Sequence, residues 1–354
     1  MDIKSAVRRF LRIRGMGTAL TAFAGLIIIY LVFGAINTSV FSKLNIQNLL
    51  RSMSKYLLIG IGQSYVLITC NIDLSIGSVV GMSAMISATL MTKGVPAPMA
   101  ILITVVCALA VGVINGILVG KFKLPPFIAT LGTMFCARGV AYMVNDNRNT
   151  DAIASGIGKE TADAIQKLFY NGSTFGVYNT FWIAISIFII FFFILSKTRS
   201  GRHIYAIGSN VEAAKLSGVN VELTTTKAYL VSAFCACVVG LSLCGQLGMG
   251  TMEAGNMYEM YGVAAGVIGG LSPLGGSGIL LGTLAGAAVW QTLENGLNMV
   301  GAPVGIQYVV IGVIVVLSVL LDVVLRGSRR VSPTLSGRLG VGRAGGQDGE
   351  QDGE

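Results

Sequence analysis

An aspartate and a serine stand two residues apart in an apolar stretch, LITCNIDLSIGS, at residues 67–78. No lysine or arginine occurs between Lys55 and Lys93, so Asp73 has no basic neighbour along the chain. An unpaired acid in this setting is suited to proton transfer, to ligand binding or to capping a helix. A new apolar helix is predicted to begin near Ser75, and we therefore favour the cap, in which the carboxylate accepts from the first backbone NH groups. A direct role as a gate or ligand contact is the alternative.

Three other ionisable residues fall inside apolar segments, where a charge is costly. Arg138 and Glu294 have side chains long enough to reach the outer interface, and we expect them to extend there. Asp322 lies four residues before Arg326, a spacing that favours an ion pair on a helix surface. The sequence leaves open whether Asp73, Arg138 and Glu294 are structural or line a passage.

The composition places these residues in a membrane protein. Of the 354 residues, 53% are hydrophobic and 12% are charged, and the mean hydropathy is +0.75. Soluble domains carry about 25% charged residues. Residues 17–36 form an uncharged run of 20, about the length that crosses a hydrocarbon core of roughly 30 Å. The sequence therefore predicts an all-α polytopic membrane protein.

About ten apolar segments are predicted to span the membrane. Lysines and arginines concentrate at the N-terminus, at 121–123, from Lys197 to Lys227 and after Arg326, which places both termini in the cytoplasm by the positive-inside rule. This bias explains the net charge of +9, so nucleic-acid binding is not expected. The predicted spans are 18–36, 56–70, 76–92, 97–120, 127–144, 178–196, 227–247, 258–271, 278–299 and 304–325.

The second and eighth predicted spans are short and are followed by breaks without lysine or arginine, NIDLSIGS and LSPLGGSG. We expect both breaks to lie within the depth of the membrane, where irregular backbone is tolerated only against protein or a water-filled cavity. Glycines spaced four apart let helix backbones approach closely, which predicts a compact bundle. They are Gly112, Gly116 and Gly120, then Gly262, Gly266 and Gly270, then Gly278, Gly282 and Gly286.

The loops differ in what they predict. In the cytoplasmic loop 197–227, Ser209 or Asn210 is expected to cap a short helix that ends at Gly218. A helix this short is not stable alone in water and needs a surface to lie on. On the outside, the loop 145–177 and the acidic stretch 248–262 are places where an external partner could dock. The chain divides into a basic cytoplasmic N-terminus (1–17), a transmembrane domain (18–325) and a disordered cytoplasmic tail (326–354).

Signatures of energy conversion and of metal chemistry are missing from the sequence. It contains no G-x-x-x-x-G-K-[ST] and no H-E-x-x-H. Its six cysteines form no C-x-x-C pair and His203 is its one histidine, so neither a disulfide framework nor a metal site is predicted. We therefore expect a chain that is no enzyme and binds no cofactor. It moves solute passively, uses an ion gradient or draws energy from another subunit.

Five strings, in order and spread over residues 20–325, resemble the permease subunits of bacterial ABC importers for monosaccharides. These form the ribose, galactose and xylose group of the branched-chain-amino-acid-type permease superfamily. The strings do not specify the sugar. They are NIDLSIGSVVGMSA (71–84), LPPFIATLGTMFCARGVAYMV (124–144), KTRSGRHIYAIGSNVEAAKLSGVNV (197–221), VIGGLSPLGGSGILLGTLAGA (267–287), and NGLNMVG (295–301) with QYVVIGVIVVLSVLLDV (307–323).

The resemblance implies a type II-like ABC importer permease bundle in the bacterial inner membrane. Its partners would be a cytoplasmic ATPase that binds ATP and Mg, a periplasmic sugar-binding protein, and a second permease copy in a homodimer or a heterodimer. The chain departs from the family at Cys70 and Asn71, which replace two glycines, and at Met260 and Val263, which replace Leu and Ile. A stand-alone secondary carrier and a membrane scaffold are the rival interpretations.

Two sets of residues are expected to carry the function. The short cytoplasmic helix would couple the ATPase to the spans, and polar side chains would form a weakly binding path for the sugar. The coupling residues are Arg199, Gly201, Arg202, Asn210, Glu212, Ala213, Ala214, Lys215 and Gly218. The path residues are Gln63, Asn71, Asp73, Ser75, Asn115, Asn295, Asn298 and Gln307.

Overall fold

The computed structural model describes residues 16–310, 312–314, 316, 317 and 320. Within this part the chain is helical apart from one short hairpin, which confirms the all-α class. The basic N-terminus up to residue 15, Asp322 and the tail 326–354 lie outside the described residues.

The helices have the following bounds. They are α1 (Met16–Ile36), α2 (Lys43–Ile68), α3 (Ile76–Thr92), α4 (Ala97–Gly120), α5 (Pro126–Met143), α6 (Ala154–Ile157), α7 (Lys159–Gln166), α8 (Asn179–Lys197), α9 (Arg199–Ser209), α10 (Val211–Leu216), α11 (Val221–Leu247), α12 (Tyr258–Ile268) and α13 (Leu280–Met299). A 3-10 turn covers Thr38–Phe41, a π-helical turn covers Lys167–Asn171, and residues 304–310 are again helical. The antiparallel hairpin pairs β1 (Ser173–Thr174) with β2 (Val177–Tyr178).

Four of these helices, α1, α4, α8 and α11, are long and apolar enough to cross a membrane. Five of the six other predicted spans coincide with α2, α3, α5, α12 and α13. The tenth, 304–325, is helical at 304–310 and then continues into residues that lie largely outside the described part, so the number of spans and the side of the termini stay predictions. Helix α2 is longer than the predicted 56–70. It begins at Lys43 because the Ser42 hydroxyl caps it by accepting from the backbone NH of Asn45 at 3.3 Å.

Helix α11 forms the centre of the bundle and packs against α2, α3 and α4. The predicted glycine face of α4 makes one of these contacts. A Cβ on Gly112 would lie 2.9 Å from the Tyr229 carbonyl oxygen, and one on Gly116 would lie 2.5 Å from the Thr226 Cα. The expectation that small residues bring helices close is therefore confirmed for this pair.

The two predicted breaks lie against each other. The chain leaves α2 at Ile68 and turns through Cys70, whose φ is +62°. The loop between α12 and α13 crosses this turn, and the backbone NH of Gly276 donates to the Ile68 carbonyl at 2.9 Å. Gly275 and Gly276 both have positive φ, and a Cβ on Gly275 would lie 2.7 Å from that of Cys70. Glycine is needed here for the backbone conformation and for the close approach.

The stretch 248–257, which the sequence places in an outer loop, returns along helix α3. Gly250 packs against Ala84 and Ala88, and Gly255 packs against Gly77 and Val80 near the start of α3. Helix α12 therefore begins beside the first turn of α3. The segment therefore packs along the bundle, while its position on the outer side stays a prediction.

Replacing Gly116 by Ala tests the close packing of α4 on α11. We expect Gly116→Ala to destabilise the fold by about 1–3 kcal/mol, because the new methyl group overpacks against Thr226. Gly132→Ala on α5 is the matched control, since no atom lies within 4 Å of its Cβ position. The control should be neutral or should stabilise by up to about 1 kcal/mol. Thermal unfolding in detergent measures both, and equal midpoints for the two variants would contradict the packing argument.

Candidate functional site

Asp73 is 2% exposed, and both of its carboxylate oxygens accept hydrogen bonds. Oδ1 accepts from the backbone NH of Ser75 at 2.9 Å and from its hydroxyl at 2.6 Å. Oδ2 accepts from the hydroxyl of Ser232, near the middle of α11, at 2.6 Å. The carboxylate thus holds the turn that enters α3 and ties it to the central helix.

The network around Asp73 continues through two further helices. The Asn115 amide on α4 donates to the Ser75 hydroxyl at 2.8 Å. The Thr133 hydroxyl on α5 donates to the Asn115 side-chain oxygen at 2.6 Å. Three predicted path residues, Asp73, Ser75 and Asn115, therefore form one buried cluster. Ser232 and Thr133 escaped the sequence reasoning because single hydroxyls in apolar helices give no pattern.

The other predicted path residues lie apart from this cluster. Asn295 exchanges two amide hydrogen bonds with Asn45, at 3.0 and 3.1 Å. Beyond it on α13, the Asn298 side-chain oxygen accepts from the Gln307 amide at 2.9 Å. These amides form a separate polar group where α13 ends.

Gln63 is 0% exposed, and neither its amide oxygen nor its amide nitrogen has a hydrogen-bond partner in the described part of the chain. It lies on α2 where Gly262 of α12 packs closely, with a Cβ on Gly262 at 3.3 Å from that of Gln63. A buried amide without partners costs free energy. Its amide therefore has capacity for a further polar partner.

Asn71 and Cys70, where the chain departs from the family strings, lie beside the cytoplasmic loop. Both line a cleft of about 620 Å³ together with Lys121, Glu212 and Lys215. The Asn71 amide donates to the Thr69 hydroxyl at 2.8 Å. The two residues at which the chain differs from the family, Cys70 and Asn71, thus belong to the surface next to α10 and not to the Asp73 cluster.

Arg138 and Glu294 both end on partners within the protein, in place of the extension to the interface expected from sequence. The Arg138 Nη1 donates to the carbonyls of Met252 and Ala254, each at 2.9 Å. The Glu294 carboxylate accepts from the Tyr56 hydroxyl at 2.7 Å. Arg138 holds the returning segment 248–257 against the bundle.

The loop 197–227, predicted to be cytoplasmic, folds into two helices, α9 and α10, of which the sequence predicted only the second. Asn210 caps α10 by accepting from the backbone NH of Ala213 at 2.9 Å. Gly218 has φ +80°, and its NH donates to the Lys215 carbonyl at 3.0 Å. Both predicted ends are confirmed, with Asn210 rather than Ser209 as the cap. Helix α9 could have been found from the cap Thr198 and the apolar spacing of Ile204 and Ile207.

Helix α10 presents an exposed face. Leu216 is 89% exposed and Val211 is 41% exposed, and both are apolar. The remaining predicted coupling residues divide by burial. Arg199, Arg202, Asn210, Glu212, Ala213, Lys215 and Gly218 are exposed, whereas Gly201 and Ala214 are buried and anchor the loop.

Helix α9 connects α10 to both breaks. The Tyr205 hydroxyl donates to the Gly278 carbonyl at 2.8 Å, and burial raises the pKa of Tyr205 to about 12. Gly208 packs directly on the Ile68 carbonyl, and a Cβ on Gly276 would lie 2.9 Å from the Ser209 backbone. The end of α2, the loop before α13 and the end of α9 thus meet at one point.

A protein family described as "Branched-chain amino acid transport system / permease component" matches residues 45–319. The chain belongs to this family. The match contains both breaks, the returning segment and the cytoplasmic helices, so the site described above is part of the family's shared region. The resemblance inferred from the five strings is confirmed, and the chain is a multi-pass permease component, a transport subunit rather than an enzyme.

Several relatives of this permease are import proteins for sugars. It is 35% identical over 278 residues to the ribose import permease protein RbsC of Haemophilus influenzae, covering 78% of this chain and 84% of the relative. It is 34% identical over 304 residues to RbsC of Bacillus subtilis, covering 86% and 92%. It is also 34% identical over 310 residues to the galactose/methyl galactoside import permease protein MglC of Escherichia coli K12, covering 83% and 92%. No solved structure matches the chain.

Substitutions at Asp73 test whether its carboxylate is structural. Asp73→Ala leaves the buried donors of Ser75 and Ser232 without acceptors, which should cost about 1–3 kcal/mol for each unsatisfied group. Asp73→Asn keeps one oxygen for the Ser75 backbone NH and should be milder. Folded yield and thermal midpoint in detergent measure this order. Full-length, stable protein from both variants with equal loss of function would instead indicate a role for the charge.

Proposed function

We propose that this permease is the membrane-spanning subunit of an ATP-driven ABC importer that passes a monosaccharide from a periplasmic binding protein into the cytoplasm. The names of the relatives support a monosaccharide, since they cover ribose, galactose and methyl galactoside. They differ among themselves, so the sugar of this chain is left open. The single observation that favours ATP coupling over a stand-alone carrier is the exposed, capped helix α10.

An exposed apolar side chain on a short helix is best explained by a partner that covers it. Leu216 and Val211 lie on α10 next to the charges of Glu212 and Lys215. Helix α10 has six residues, too few to be stable without a supporting surface. We assign the groove of an ATPase subunit as that partner, with ATP and Mg bound there and no cofactor in this chain.

A displacement of α10 would reach the spans through α9. The contacts of Tyr205 with Gly278, and of Gly208 with Ile68, carry movement to the loop before α13 and to the end of α2. Since packed elements shift as units rather than deforming continuously, closure of the ATPases would move both breaks together. This arrangement supports an alternating exposure of the path.

The remaining partners would bind elsewhere on the permease. The outer loops form a joint surface in which the Thr150 NH donates to the Gly250 carbonyl at 3.0 Å and the Ile153 NH donates to that of Gly248 at 2.9 Å. This surface suits a periplasmic sugar-binding protein. A second permease copy, identical or related, would complete a dimer in the bacterial inner membrane. Ten spans with both termini in the cytoplasm belong to the same proposal.

Reconstitution tests the function directly. Permease placed in liposomes with its ATPase and sugar-binding protein should accumulate labelled monosaccharide only when ATP and the binding protein are both present. The control omits the ATPase. Uptake of the same size without ATP would instead establish the stand-alone carrier.

Charge reversal on α10 tests coupling. Glu212→Arg should reduce ATP-driven uptake at least about tenfold and should weaken co-purification with the ATPase, because an exposed acid in the first turn of α10 becomes basic. Lys43→Glu is the matched control, a charge reversal at an exposed residue in the first turn of α2, outside the loop 197–227. Normal uptake and normal co-purification of Glu212→Arg would remove the coupling role of α10.

A further inference from the structure

Two helices begin beside each other inside the bundle. Helix α3 starts at Ile76, after a turn that Asp73 ties to Ser232 near the middle of α11. Helix α12 starts at Tyr258, after the segment 248–257 has returned along α3. The N-terminal ends of broken helices carry positive partial charge and are used in transporters to hold polar groups of a solute.

The two acids at this junction differ in their hydrogen bonding. Asp73 is saturated by Ser75 and Ser232, so it has little capacity for a ligand. Glu259, in the first turn of α12, is half-buried and lies against Gly77. Among the described residues, no side chain donates a hydrogen bond to its carboxylate.

Arg138 stands one turn away along α3. Gly77 faces the Glu259 carboxylate and Gly81 faces the Arg138 guanidinium, with a Cβ on Gly81 at 2.7 Å from Nη1. Two glycines on one face of α3 thus make room for an acid and a base side by side. The Arg138 Nη1 is occupied by two carbonyls, while no hydrogen bond from its Nε or Nη2 occurs among the described residues.

Gln63 supplies a second, independent sign of a ligand. It is 0% exposed, and both ends of its amide lack partners within the described chain. It packs beside Gly262, which lies one helical turn after Glu259 on α12. A shift of α12 would therefore bring the unsatisfied amide of Gln63 close to Glu259 and Arg138.

We propose that Glu259, with Arg138 beside it and with Gln63 of α2 next to the following turn of α12, binds the hydroxyl groups of the solute where the two broken helices meet. A carboxylate accepts and a guanidinium donates, which matches neighbouring hydroxyls that can each do both. The set is small and partly exposed, so binding is weak, as suits a site that must release its solute inward. The inference rests on the proposed function for the identity of the solute as a monosaccharide.

A binding measurement tests this site without the ATPase. The chain has two tryptophans, and Trp290 lies 5.1 Å from Tyr261 on α12, measured between ring centroids. In a Trp182→Phe background, Trp290 fluorescence should change saturably with D-ribose or D-galactose at millimolar concentration. Adding Glu259→Gln should abolish the change, and adding Glu160→Gln should preserve it. An unchanged response with Glu259→Gln, or no response to either sugar in the background protein, would overturn the site.

Uptake into liposomes separates this inference from the proposed function. With ATPase and binding protein present, Glu259→Gln and Glu259→Ala should lower uptake at least tenfold, while Lys43→Gln, at an exposed position of α2 outside every proposed surface, stays within twofold. ATPase activity stimulated by the loaded binding protein should persist in the Glu259 variants, because α10 is untouched. ATP-dependent uptake that is normal in both Glu259 variants would refute the site alone. A saturable fluorescence change without ATP-dependent uptake by the unaltered chain would support the site and refute the ATP-driven function.

Discussion

Backbone groups at a helix break inside a membrane must find partners within the protein, because lipid supplies none. This permease has two helix breaks that are predicted to lie at membrane depth, and its own residues supply partners for them. The Gly276 NH donates to the Ile68 carbonyl at 2.9 Å, and the Tyr229 hydroxyl donates to the Ile72 carbonyl at 3.1 Å. Asp73 adds its carboxylate to the turn that enters α3. We call the place where these groups meet the junction. It determines the position of α3, the course of the loop before α13 and the place where α9 packs.

The junction also explains how a cytoplasmic helix can act on the interior of the bundle. Helix α9 contacts Ile68 and Gly278, so the end of α2 and the loop before α13 share one attachment. Glycine allows this crowding, since a side chain on Gly276 would meet the Ser209 backbone. Helix α10 extends from this attachment with Val211 and Leu216 exposed.

A passage for a polar solute needs groups that are present but not fully occupied. Asp73 first draws notice as a lone acid, yet its oxygens are taken by Ser75 and Ser232, and its contribution is to the fold. Glu259 and Gln63 make few or no hydrogen bonds within the described chain. Glu259 lies where α12 packs on α3, and Gln63 lies where α12 packs on α2. Asp73 therefore differs from Glu259 and Gln63 in its hydrogen bonding, a difference that residue type and burial alone do not reveal.

The sequence by itself determined the features that depend on near neighbours along the chain. Apolar runs determined the helices, Asn210 and Gly218 the ends of α10, and the five strings the family, because caps, periodicity and motifs are local. Only the tertiary structure decided that 248–257 returns along α3, that Ser232 and Thr133 complete the Asp73 network, and that Arg138 bonds Met252 and Ala254. These contacts join residues 18 to 178 positions apart, and no local pattern encodes them. Which buried acid is saturated and which is free follows from such pairings, so it is settled by packing.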